Sequence, residues 1–131
     1  MPQILPLPGL SGQFIPMVEA KKQGQEEMSN EAKIINLMQF ARKAGKLSTG
    51  VDACMRELHH KHIHLIVIAS DTAERTANRV KHELRELNSR IMTISLSSQS
   101  ELSAALGLPL TGVFGISDKN FAAKMIEYWQ S

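Results

Sequence analysis

The chain has 131 residues, 43% hydrophobic and 21% charged, with a formal net charge of +2. That is one domain's length with an ordinary globular composition, which excludes chain-wide disorder, and no run nears the ~18 apolar residues of a membrane span. Its one cysteine, Cys54, excludes a disulfide framework and a multi-cysteine zinc site and fits a reducing cytoplasm. In chain order, residues 1–29 read as a flexible Pro/Gly-rich and charged extension. Pro2, Pro6, Pro8 and Pro16 lie in residues 1–16 with Gly9 and Gly12, so neither a helix nor a central strand propagates there. An arm docking through Ile4, Leu5, Leu7 and Phe14 is the other reading. The segment has neither the basic start nor the unbroken apolar stretch of a signal peptide. Setting it aside removes Lys21, Lys22, Glu19, Glu26 and Glu27, leaving residues 30–131 at +3.

Those residues alternate helix and strand. Ile34, Leu37, Met38 and Ala41 recur at helical spacing, with Ser29 or Asn30 as cap and Gly45 as the left-handed stop. After a short Lys46–Leu47 segment, Ser48 or Thr49 caps a second helix that turns Val51, Cys54, Met55 and Leu58 inward. The run 65–69 (Leu-Ile-Val-Ile-Ala) reads as a strand buried on both faces. Asp71 or Thr72 opens a third helix with Ala73, Ala77, Val80, Leu84 and Leu87 on one stripe. Ile91, Met92 and Ile94 form the next strand. Residues 98–101 (Ser-Gln-Ser-Glu) are a capping box, and Gly107 closes the short helix that follows. Residues 112–116 form a last strand, and Asp118 caps a helix carrying Phe121, Ala122, Met125, Ile126 and Trp129. Such alternation predicts a three-layer α/β/α sandwich.

Signatures of catalysis are absent. There is no phosphate-binding glycine loop, dinucleotide fingerprint or nucleophile elbow, and Cys54 lies on an apolar stripe as a structural thiol. His59, His60, His62 and His64 cluster after the second helix without a nearby acidic or cysteine ligand to complete a metal set. They read instead as side chains at a helix C-terminus and a strand entrance. No metal or other cofactor is implied. A different pattern bears on binding. Arg42, Lys43 and Lys46 put three cations beside a helix end and lead into Ser48, Thr49 and Gly50 at the next helix start, where free amides suit phosphate. Gly50 lets a backbone approach closely. Asp52 and Arg56 share one exposed face, either as a solvated ion pair or as a carboxylate and guanidinium able to read bases.

The stretches 41–50 (ARKAGKLSTG), 65–71 (LIVIASD) and 115–122 (GISDKNFA) together resemble the ribosomal protein L7Ae family, most closely its small bacterial YlxQ-like members. The resemblance spans about residues 31–128. It implies an α/β fold, a three-layer α/β/α sandwich with a central mixed four-stranded sheet. It also implies a non-catalytic, cytoplasmic protein that binds structured RNA, ribosomal or kink-turned. Kink-turns are sharply bent helices whose tandem sheared G·A pairs are read by the start of the second helix. By position it assigns RNA contact to Gly50 and Arg56, to the preceding cations Arg42, Lys43 and Lys46, to the Ser70–Asp71 corner, and to the loop 108–112 with Leu110 and Thr111. That loop packs apolar groups against a flipped-out nucleotide. Typical kink-turn readers carry Asn-Glu where this chain has Asp52-Ala53, so a carboxylate that only accepts stands in place of an amide. Relatives that bind proteins supply the other reading, an interaction module on the same fold, with the ribosome or other proteins as partners. Neither reading involves a membrane or a small-molecule substrate.

Overall fold

The computed structural model describes residues 29–131, so the expected extension lies, apart from Ser29, outside the described residues. Nine elements follow: α1 (Asn30–Lys43), β1 (Leu47–Thr49), α2 (Val51–His59), β2 (Leu65–Ile68), α3 (Glu74–Glu86), β3 (Met92–Ser95), α4 (Gln99–Leu106), β4 (Val113–Ile116) and α5 (Lys119–Gln130). The sheet order is β1-β4-β2-β3. β4 runs antiparallel to both β1 and β2, whereas β2 and β3 are parallel. Strands β1, β2 and β3 therefore share one direction, and their carboxyl ends meet at one end of the sheet.

The two-residue period of a strand explains the layers. Leu65 and Val67 of β2, with Phe114 and Ile116 of β4, face a core shared with Ile34, Met38, Leu102 and Met125, so α1, α4 and α5 cover that side. Ile66, Ile68 and Val113 face Cys54, Met55, Leu58 and Val80 of α2 and α3 on the other. All four residues of β2 and of β4 are buried. The expected α/β/α sandwich with a mixed four-stranded sheet is what the chain forms.

Local signals set several boundaries. Ser29 caps α1, Ser98 and Glu101 complete the capping box of α4, and Asp118 caps α5. Gly45 and Gly107 are the left-handed stops. Three readings need correction. Ser48 and Thr49 do not cap α2; they lie in β1, a strand of three residues whose pairing with β4 outweighs its weak local pattern. Helix α3 begins at Glu74, because Asp71 and Thr72 are engaged with other loops. Ala73, Leu87 and Trp129, expected inward, are exposed.

Phe114 is fully buried at the sheet centre. Truncation by Phe114→Ala is expected to cost about 3–5 kcal/mol, the range for a large core side chain, read as a lowered midpoint in denaturant unfolding.

Candidate functional site

At the end of the sheet where β1, β2 and β3 finish, a groove of about 300 Å³ is lined by Gly50, Val51, Thr72, Ala73, Thr76 and Gln99, with Leu110, Thr111, Gly112 and Val113 opposite. Its walls are tied by hydrogen bonds between loops. Ser70 sends both its amide (2.7 Å) and its hydroxyl (2.6 Å) to Ser97 O. The Gln99 amide donates to Asp71 Oδ1 at 2.9 Å, and Thr72 Oγ1 donates to Gly112 O at 3.0 Å. A Cβ on Gly112 would stand 2.5 Å from Thr72 Oγ1, so only glycine permits this closure. The loop carrying Leu110 is pinned by Ser103, the one buried polar side chain among the described residues; its Oγ accepts from Thr111 N at 2.9 Å. Leu110 itself is 69% exposed.

Two helix N-termini open onto this groove, with Asp52 and Glu74 in their first turns. Side chains cap α1, α4 and α5, but no side chain caps α2 or α3, and their N-cap residues, Gly50 and Ala73, both line the groove. First-turn amides and the partial positive charge of two helices therefore meet in one place. The Gly50 amide is not among these donors, because it bonds Val113 O at 2.9 Å. Gly50 adopts φ +89° and ψ 151°, a region essentially reserved for glycine. A Cβ there would meet nothing within 4 Å, so conformation is what requires the glycine and open space lies beside it.

The structure divides the sequence-predicted residues into two groups. Gly50, Leu110 and Thr111 line the groove, and Ser70 and Asp71 brace it from behind. Asp52 and Arg56 lie exposed on the first turns of α2. Lys46 is elsewhere: its carbonyl accepts from Ser117 N, four residues or about 13 Å along β1 from Gly50. Arg42 and Lys43 border a separate surface depression with Gln39, Ala105 and Leu106. Asp52 does not pair with Arg56. Its carboxylate meets Arg79 Nη1 of α3 at 3.0 Å, which leaves Arg56 without an ion pair among the described residues. Arg79, Thr72, Thr76 and Gln99 were missed. Helical spacing places Thr76 and Arg79 on one face of α3, a signal its apolar stripe obscured.

The histidines do have acidic neighbours. His59 Nε2 lies 2.9 Å from Glu83, and His62 Nδ1 lies 2.9 Å from Glu57. Among the described residues no group of three or more His, Cys, Asp or Glu side chains is placed to hold a metal. Cys54 is buried, with its thiol pushed up to about 12 by desolvation, and its Sγ is directed at Ser48 O, 3.6 Å away. No helix of the described residues is long and apolar enough to cross a membrane.

The molecule is a three-layer domain with an open, amide-lined groove at the carboxyl ends of three strands. The chain belongs to the ribosomal protein L7Ae/L30e/S12e/Gadd45 family, which matches residues 32–126. It is 32% identical over 98 residues to the RNA-binding protein YlxQ of Enterococcus faecium, covering 75% of this chain and 92% of that protein. Among solved structures, a protein of unknown function from Bacillus halodurans superposes with a TM-score of 0.70 at 21% identity, covering 76% of this chain and 99% of that one. The Giardia lamblia 15.5 kD RNA binding protein gives 0.62 at 16%, covering 75% and 85%. These two likenesses establish the fold.

Two outcomes follow from the geometry. Gly50→Ala is expected to lose about 1–3 kcal/mol in thermal unfolding through backbone strain alone. The hydrogen bond from His62 holds the Glu57 carboxyl below its usual 4.5, against a smaller opposing desolvation and with help from nearby positive charge. A depressed carboxyl stabilises the fold above pH 4.5 and loses that contribution as pH falls through the lowered value. Carboxyl NMR should place the Glu57 midpoint below 4.5, and His62→Ala should raise it.

Proposed function

We propose that the protein is a non-catalytic RNA-binding protein that holds structured RNA, ribosomal or kink-turned, in the groove between α2, α3 and the loop 108–112. The observation that carries this reading is the convergence there of two helix N-termini lacking side-chain caps. Amide donors and helix dipoles suit phosphate oxygens and need no lysine to do so. Leu110 supplies what a regular duplex would not use, an exposed apolar surface for an unstacked base. Arg56, free of an ion pair, is available to a phosphate, and Arg42, Lys43 and Lys46 extend positive charge to a second stretch of backbone. Family membership and the name of the Enterococcus faecium relative support RNA as the ligand. No cofactor enters, and the cytoplasm is the compartment such a protein would serve.

A second reading, a protein-interaction module, draws on Phe40 of α1, which is 58% exposed on the helical layer remote from α2 and α3. Titration against a kink-turn RNA, a hairpin and an unrelated duplex at one moderate salt concentration separates the readings. Tightest binding to the kink-turn is expected. Its log–log salt slope should steepen by about one unit per phosphate engaged, and Arg56→Ala should reduce it by about one. Leu110→Ala should weaken the kink-turn complex about 5- to 10-fold. Equal binding to all three RNAs would remove kink-turn specificity; no binding to any would remove RNA and favour the protein partner.

A further inference from the structure

We propose that Arg79 of α3, held by Asp52 of α2, is a specificity-determining residue whose guanidinium reads a guanine edge at the mouth of the groove. This deepens the RNA-binding reading and rests on it. Arg79 Nη1 stands 3.0 Å from Asp52 Oδ1, with the two side chains 50% and 82% exposed. An ion pair so open to water adds little to stability and costs rotamer freedom, so holding the fold together does not account for it. Its position does carry meaning. Asp52 lies two residues after Gly50, and Arg79 one turn after Thr76; Gly50 and Thr76 both line the groove. The pair therefore joins the two helices whose N-termini converge there.

Chemistry divides the labour. A carboxylate only accepts hydrogen bonds, and neither Val51 nor Ala53 has a polar side-chain atom, so the first three residues of α2 offer no side-chain donor to a base. Guanine O6 and N7 are acceptors and need donors. A guanidinium carries five N–H groups in a planar fork, and the contact through Nη1 leaves further N–H groups to donate. Asp52 offsets the charge and restrains the side chain, so that Arg79 works as an oriented donor fork while Arg56 remains the phosphate cation. Asp52 is then a positioning residue, acting on the base through Arg79.

The test uses the full chain and two probes, a kink-turn RNA and the same RNA with 7-deazaguanosine in the tandem G·A pairs, which removes N7. Arg79→Ala should weaken the unmodified RNA about 10-fold or more, with the thermal midpoint unchanged. Arg79→Lys should keep the charge without restoring affinity, the salt slope staying near wild type throughout, and Asp52→Asn should fall between wild type and Arg79→Ala. The modified RNA should bind wild type more weakly, and this penalty should vanish in Arg79→Ala, the mark of a direct contact. An Arg79→Ala variant that binds within twofold of wild type, or still distinguishes the two RNAs, overturns the proposal while RNA binding stands. A wild type that binds neither RNA overturns both readings together.

Discussion

The groove depends on hydrogen bonds made by three consecutive residues, Ser70, Asp71 and Thr72. They follow a strand buried on both faces, and each reaches a different place: Ser70 the loop after β3, Asp71 the first turn of α4, and Thr72 the start of β4. Were this corner free to continue as helix, α3 would begin earlier and its N-terminus would not open beside that of α2. Polar side chains that compete with helix formation are spent here on long-range ties. The ties leave the first turn of α3 uncapped by any side chain. A missing cap that would merely weaken an ordinary helix places amide donors where a ligand could use them.

What was legible in the sequence was what adjacent residues decide. The box of Ser98 and Glu101, the cap by Asp118 and the left-handed stops at Gly45 and Gly107 each need only one turn of chain to act. The run 65–68 is buried on both faces, and its composition alone marks it as a central strand; residues 113–116, also buried on both faces, showed only as a strand. Most of the candidate site was not legible in this way. Asp71 reads locally as a cap for α3, yet its partner is Gln99; Asp52 reads as a partner for Arg56, yet it meets Arg79. The carboxylate neighbour of His59 is Glu83, on another helix. In each case the local pairing was chemically sound, and the fold offered a partner from an element packed alongside.

Gly50 shows a subtler failure of local reasoning. Its identity pointed correctly to an unusual role, but the role is conformational: with φ at +89° it turns an edge strand directly into a helix, its amide already bonded to Val113. The amides left for a ligand are those of the first turn of α2. Close approach from outside remains possible because the surrounding space is open, as a consequence of the turn.

The distribution of charge separates two tasks that RNA binding usually mixes. Lys46 lies at the far end of β1, and Arg42 and Lys43 sit on the opposite helical layer near α4, so none of the three can act at the groove itself. Contacts of that kind add affinity with little dependence on sequence, and they weaken as salt rises. The groove instead concentrates directional groups, namely first-turn amides, the hydroxyls of Thr72 and Thr76, the Gln99 side chain and the Leu110 surface, which under the proposed reading would respond to the shape of the bound RNA. Directional groups discriminate only when held rigidly, and here three inter-loop ties and a buried serine hold them. Because β1, β2 and β3 share one direction, the loops that need this bracing arise together at a single end of the sheet. Strand polarity thus decides where the groove opens, and under the proposed reading the cations elsewhere would hold the RNA backbone.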